Sequence, residues 1–333
     1  MSRAALRFAP LGAWLLLGCS GAPTSEPLGT AAEAVFGGTP APDDTSVVAV
    51  VNFSGGQCSG SLIASNLVLT ARHCVADTQE KDVKVVCGET PFKAPDSAGA
   101  IFVVPVPTIT EDPDDYRAVA EIRMAADQDA DLCGTDVALL RLKKPLTELT
   151  PLEPRVTKPV VADEPYSSVG YGVDESLTDM PSGERKRLDA LNVTCGGSSC
   201  QAPDVRDNEW IGSGGPCPGD SGGPALDAKG RVIGVVSRGK AGCTEPVFSD
   251  VASRADWLQS EAILAARAVG QEPPAWACDA THSCAAPPDD EPKETCSFAP
   301  PSRGGVARHG WLAALLLLWR RGRGSSVRPK RSR

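Results

Sequence analysis

Apolar residues in this chain gather in short runs rather than long periodic stretches. Val47–Phe53, Leu62–Leu69, Val83–Val86, Ile101–Val106, Val137–Leu142 and Val232–Ser237 are rich in Val, Ile and Leu, and turn-forming residues separate them. β-Branched residues suit a pleated backbone, so runs of this length bounded by turns predict strands. Residues 251–269 behave differently. There Val251, Ala255, Leu258, Ala262, Ile263 and Ala266 recur at three- and four-residue intervals, the spacing of one helical face packed on a core. Many short strands followed by one helix predict an all-β body, a barrel or a sandwich. No internal sequence repeat is visible.

The pattern also divides the chain. Residues 1–18 have Arg3 and Arg7 ahead of an apolar stretch from Phe8 to Leu17, the layout of an export signal too short to span a bilayer. The stretch ends in Leu16-Leu17-Gly18-Cys19, which resembles the lipobox of bacterial lipoproteins and would make Cys19 the lipidated first residue. An ordinary signal peptide beside a chance cysteine is the alternative. Residues 19–34 form a small, polar leader and residues 35–269 the folded body. Residues 270–295, rich in Pro and acid, read as a linker. Residues 296–333 start at Cys296, pass through the apolar run Trp311–Trp319 and end in clustered arginines. This end resembles the MYXO-CTERM sorting tag, which would hold the protein at a membrane. An exported protein follows, located at the cell envelope, at the outer-membrane surface or outside the cell.

Charge narrows the partners. The net charge is −9, yet residues 320–333 hold seven Arg or Lys and no acid, and residues 1–34 balance to zero. Residues 35–319 therefore carry −16, which repels a polyphosphate backbone and argues against nucleic acid. Twelve cysteines behind an export signal imply disulfides.

The candidate chemistry starts from histidine. A serine hydroxyl becomes a nucleophile at neutral pH when an imidazole removes its proton and a carboxylate orients that imidazole. Of the three histidines, His282 lies in the linker and His309 in the tail, so His73 is the one candidate base of the body. It follows an apolar run in Thr70-Ala71-Arg72-His73-Cys74. The candidate nucleophile is Ser221 in Gly219-Asp220-Ser221-Gly222-Gly223-Pro224. Glycines allow the tight turn that aims the Gly219 and Ser221 amides at one point, an oxyanion hole. The same residues satisfy G-x-S-x-G, but a nucleophile elbow places its histidine after the serine, and here it comes before. The candidate acid is Asp136, which opens the apolar run Val137–Leu142. Asp127, Asp129 and Asp131 are rivals by proximity, and their alternate spacing hints at calcium. They lack the Gly and terminal Glu of a calcium loop and read as a solvated acidic loop. No metal or organic cofactor is expected.

These segments resemble the trypsin/chymotrypsin family of serine proteases across residues 35–260. Thr70–Cys74 is similar to the family's Thr-Ala-Ala-His-Cys and Cys58–Ile63 to its Cys-Gly-Gly-Ser-Leu-Ile. Asp136–Leu140 is similar to Asp-Ile-Ala-Leu-Leu, and Gly170-Tyr171-Gly172 to Gly-Trp-Gly. Gly219–Pro224 matches the nucleophile motif intact, and Val35–Gly38 resembles the start of the activated chain. The resemblance implies two antiparallel six-stranded β-barrels with a C-terminal helix, and a triad of His73, Asp136 and Ser221 acting on protein or peptide substrates. It implies cleavage between Ala34 and Val35, with the new ammonium pairing to Asp220. It pairs Cys58 with Cys74 and Cys217 with Cys243. Proximity adds Cys195–Cys200 and Cys278–Cys284, which leaves Cys87–Cys133. Family position puts Gly215 at the base of the specificity pocket, with walls from Ser237, Gly239 and Pro246. Arg238 stands where the family carries tryptophan, and no acid sits at the base. The pocket is therefore expected to accept small or medium apolar residues, provided Glu245 faces solvent. An esterase could use the same triad. A binding module on this scaffold usually lacks a triad member, and this chain keeps all three.

Overall fold

A computed structural model describes residues 38–54, 56–79, 85–127, 129–172, 183–240 and 242–285. Six strands close the first barrel: β2 (Val47–Asn52), β3 (Gly56–Ala64), β4 (Leu67–Thr70), β5 (Ile101–Val104), β6 (Arg117–Met124) and β7 (Ala138–Leu142), with β1 (Thr39–Pro40) preceding them. The circuit runs β2-β3-β4-β7-β6-β5 and returns to β2, every pairing antiparallel. The second barrel contains β8 (Pro165–Gly170), β9 (Lys186–Gly196), β10 (Glu209–Gly212), β11 (Pro224–Leu226), β12 (Val232–Lys240) and β13 (Thr244–Asp250). Its circuit runs β8-β9-β10-β13-β12-β11 and closes on β8, with β1 added at the edge of β9. The molecule is thus two six-stranded antiparallel barrels followed by one helix, α1 (Ala255–Ala268).

The apolar run Leu62–Leu69 is divided between β3 and β4, because Ser65 and Asn66 form a turn inside it. Asn66 uses its side-chain amide to donate to the Ala265 carbonyl of α1, 2.8 Å away, which fixes that turn. Val85 and Val86 lie outside any strand, and Val83 lies outside the described residues. The helix begins at Ala255 after a short 3-10 turn (Ala252–Arg254), and it buries Leu258, Ala262 and Ile263.

One cluster of aliphatic side chains fills the first barrel and continues into Val169, Leu226, Val232 and Val235 of the second. The two barrels therefore share a core, and removing that much apolar surface from water is the main favourable term in their association. Arg185, almost fully buried, adds a polar tie. Its guanidinium donates to the carbonyls of Ala41 (2.8 Å), Pro42 (2.7 Å) and Val47 (2.9 Å) and to the Tyr171 hydroxyl (3.0 Å). Planar donors in a fixed fork suit such a set of backbone acceptors.

Residues 270–285, expected as linker, are held against the body. Ala277 is buried, Trp276 Nε1 donates to the Ile63 carbonyl at 3.2 Å, and Gln259 donates to Asp279 at 2.9 Å. The Cys278–Cys284 disulfide closes this strap, and Cys284 packs on the shared core. Proline and acid suggest solvated chain, but a tryptophan and a short disulfide loop supply the apolar contact that outweighs them.

Candidate active site

Strands β4 and β7 pair antiparallel with Thr70 opposite Ala138. Residues just past the end of β4 and just before the start of β7 are therefore neighbours. The first of these segments is the turn Arg72–Cys74, which presents His73, and the second carries Asp136. His73 Nδ1 lies 2.8 Å from Asp136 Oδ2, and the His73 backbone N–H donates to Oδ1 at 2.9 Å. Ser237, on β12 of the other barrel, donates its hydroxyl to Oδ2 at 2.6 Å. Asp136 is completely buried, which by itself would raise its pKa. The charge of His73 and the three donated hydrogen bonds outweigh burial and hold the carboxyl below the usual range. Burial likewise opposes the charged form of His73, yet the Asp136 carboxylate prevails and raises the imidazole above its ordinary value, with Arg238 pulling slightly down. A carboxylate anchored at Nδ1 leaves Nε2, on the other side of the ring, as the atom that can exchange a proton.

Ser221 arrives on the loop between β10 and β11 of the second barrel. Its carbonyl accepts the Ser59 N–H at 2.7 Å, and the Ser59 hydroxyl donates to the Gly219 carbonyl at 2.9 Å. Ser59 neighbours Cys58, whose disulfide to Cys74 begins one residue after His73. One covalent bond and two hydrogen bonds thus lock the nucleophile loop onto the histidine loop. The close approach explains Gly222: at φ +81° a methyl group there would sit 2.1 Å from Thr70 Oγ1. Gly219, at φ +97°, abuts the Gly172 backbone, where a methyl group would lie 2.8 Å from Cα. Among the described residues, neither the Gly219 nor the Ser221 N–H donates to a protein carbonyl. No hydrogen bond joins the His73 ring to the Ser221 hydroxyl there either; such contacts commonly tighten only when substrate binds.

Asp220 lies fully buried behind the nucleophile. Burial pushes its carboxyl up to about 7, although the N–H groups of Cys217 (2.9 Å) and Gly172 (2.8 Å) and the charge of Lys186 pull the other way. Its expected partner Val35 lies outside the described residues, as do Cys19 and Cys296.

The residues assigned to the specificity pocket flank this loop. Gly215 is buried against Leu191, where a methyl group would meet Cδ1 at 3.0 Å. Pro246 is buried and Gly239 exposed, with Pro246 Cα 3.6 Å from where a Gly239 side chain would begin. Glu245 is on the surface and pairs with Lys240. Beyond Gly239 a groove of about 980 Å³ is lined by Val85, Val86, Val205, Ile211, Arg238 and Val247. Among the acidic rivals, Asp127 and Asp129 are exposed, while Asp131 accepts from the Thr90 and Cys133 N–H groups. Cys58 and Cys74 flank His73 closely, but their sulfurs are spent in the disulfide and offer no thiolate to a metal. The other disulfides are Cys87–Cys133, Cys195–Cys200 and Cys217–Cys243.

Sequence reading missed three contributors. Ser59 was visible only as part of a motif. Ser237 was named for the pocket, not as a donor to Asp136. Glu209, an acid inside an apolar strand, receives both terminal nitrogens of Arg238 at 2.7 and 2.8 Å; the anomalous arginine was the available signal that such an anion existed.

The trypsin family model matches residues 35–258. A trypsin from Saccharopolyspora erythraea is 29% identical over 240 residues, covering 66% of this chain and 93% of that protein. Snake venom serine protease 5 from Trimeresurus stejnegeri is 27% identical over 248 residues, covering 68% and 87%. Serine protease VLSP-3 from Macrovipera lebetinus is 27% identical over 245 residues, covering 69% and 86%. The family match spans both barrels and runs into the helix, so the chain belongs to the trypsin family and is a serine endopeptidase.

Proposed function

We propose that this enzyme hydrolyses peptide bonds through His73, Asp136 and Ser221. His73 Nε2 takes the Ser221 hydroxyl proton as Oγ forms a bond to the substrate carbonyl carbon. The carbonyl oxygen gains the negative charge and accepts hydrogen bonds from the Gly219 and Ser221 N–H groups. The carbon–nitrogen bond then breaks, and His73 returns the proton to the leaving amine. Water repeats the sequence on the acyl-enzyme and frees Ser221. Asp136 keeps the Nδ1 proton in place throughout and stabilises the imidazolium. The observation that carries this reading is the buried Asp136 carboxylate, which accepts from His73 twice while the nucleophile loop is fixed to the histidine loop. A fluorophosphonate probe tests it: labelling is expected at Ser221, and labelling elsewhere would overturn the assignment.

The preferred residue before the cut is small or medium and apolar. Support comes from the uncharged Gly215 backed by Leu191, and from Glu245 being spent on Lys240 at the surface. A cation entering such a pocket loses water and gains no partner. Matched peptides with Ala, Val, Leu, Phe or Arg before the scissile bond decide this, and a clear preference for Arg would refute it. Activation is by release of Val35, whose ammonium would pair with Asp220; support comes from the complete burial of that carboxyl beside Ser221, where a cation would offset the desolvation that raises its pKa. Five disulfides support an extracellular setting. Retention at the envelope would fall to the segment around Cys296, and deletion of 296–333 should release active enzyme.

A further inference from the structure

The cation that replaces the family's tryptophan is not idle at the surface. Arg238 Nη1 donates to the Ser237 hydroxyl oxygen at 3.2 Å, and that hydroxyl donates to Asp136 Oδ2 at 2.6 Å. With its oxygen occupied as an acceptor, the Ser237 proton is directed at the carboxylate. The same guanidinium forks onto Glu209, which is completely buried and accepts two further bonds, from the Gly134 N–H at 2.8 Å and the Arg206 N–H at 2.9 Å. Gly134 is two residues ahead of Asp136, and its carbonyl accepts the Asn208 amide at 2.7 Å. A continuous chain therefore runs His73, Asp136, Ser237, Arg238, Glu209 and back to the loop that carries Asp136.

We propose that Arg238 and Glu209 form a clamp that positions the catalytic acid, Arg238 by fixing Ser237 as a donor to Asp136 and Glu209 by tying the Asp136 loop to the strand bearing Ser237. Both are positioning residues, and the inference rests on the triad reading above. The clamp spans the two barrels: Asp136 precedes β7 of the first, whereas Glu209 and Arg238 belong to β10 and β12 of the second. Arg238 touches Ser237, the donor to Asp136, whereas Glu209 acts on the Asp136 loop through the Gly134 N–H. The charged groups around His73 are Asp136 ahead of β7, Arg238 on β12, Arg72 beside it in its own turn, and Asp220 in the nucleophile loop. Arg238 is the one among them that lowers the His73 pKa, a field in keeping with this geometry.

The test is the pH profile of kcat/KM and the separate kcat and KM on a neutral peptide substrate. Four forms are compared: wild type, Arg238→Gln, Arg238→Lys, and the double variant Arg238→Gln with Glu209→Gln. The double variant leaves no unpaired charge buried, so it decides the matter if the single one fails to fold. Loss of the cation should move the acid limb upward in both glutamine variants, so that activity below that limb falls further than on the plateau. On the plateau kcat should fall about tenfold with KM changed less than twofold, as expected for a lost hydrogen bond to a charged pair. Arg238→Lys should keep the wild-type limb. An unmoved limb in the double variant, or an effect carried wholly by KM, overturns the clamp and makes Arg238 a groove residue. Failure of the triad reading is seen separately, as wild-type labelling by the fluorophosphonate that survives Ser221→Ala.

Discussion

The two barrels follow the same circuit. Numbered within its own barrel, each runs first, second, third, sixth, fifth and fourth strand before closing. Their interiors differ. The first is aliphatic throughout, with Val48, Leu62, Leu69, Ile101 and Leu140 among its buried residues. The second centres on Trp210 stacked on Phe248 at 4.0 Å, with Tyr166 edge-on to both at 5.2 and 5.4 Å. Their contributions to the candidate site differ too: the first carries His73 and Asp136, the second Ser221 and the Ser237 hydroxyl that donates to Asp136. Strand order can thus recur where no sequence repeat survives, because closure constrains topology while either kind of apolar filling suffices. Neither barrel holds all the residues of the candidate site.

Removing one group from each barrel gives the largest expected effect. Ser221→Ala from the second and His73→Ala from the first should each cut kcat/KM by roughly 10³-fold or more in a folded protein. Near-normal turnover in either variant would break the division of labour. Next comes the core. Trp210→Ala and Leu69→Ala should each cost about 3–5 kcal/mol. Both should lower the midpoint of one calorimetric transition, since the aliphatic cluster and Arg185 join the barrels; two separated transitions would show that they unfold independently. Third is the buried acid behind the nucleophile. In an uncleaved Ser221→Ala form, folded Asp220 keeps its proton to about 7, while the unfolded carboxyl loses it near 3.8. The folded state binds the extra proton between those values, so stability should fall as pH rises through that window. Asp220→Asn should remove the slope, and a persistent slope would place its origin elsewhere. The smallest effect concerns the base. The proposed mechanism needs neutral His73, and its pKa is raised, so kcat/KM should climb with pH through a limb above the ordinary 6.5. A limb below that value would mean that Arg238 and burial outweigh Asp136.

The fold was legible where strands are apolar without interruption. Val47–Phe53, Ile101–Val106 and Val137–Leu142 cover β2, β5 and β7, Val232–Ser237 covers the first two thirds of β12, and the 251–269 periodicity covers α1. β9 (Lys186–Gly196) and β6 (Arg117–Met124) were not, because both interleave charged with apolar residues and expose part of one face. β11 has only Pro224–Leu226 to announce it. Within the site, His73 could be found by elimination and Ser221 by its glycines. Glu209 could not, since an isolated acid inside a strand acquires meaning only from a partner distant in sequence. Arg185 was equally silent: its role is to satisfy carbonyls, and no local pattern records which carbonyls lack donors.

The strap at residues 270–285 determines where the chain leaves the body. Ser65 hydrogen-bonds Gln271, Arg267 donates to the Ala285 carbonyl at 2.9 Å, and Trp276 reaches Ile63. The Ser65 and Trp276 contacts lie at the β3–β4 turn, at the opposite end of β4 from His73. The four residues of β4 put roughly 10 Å between those ends. Tension on the chain at Ala285 would therefore reach the β3–β4 end of the first barrel before it reached the turn that carries His73.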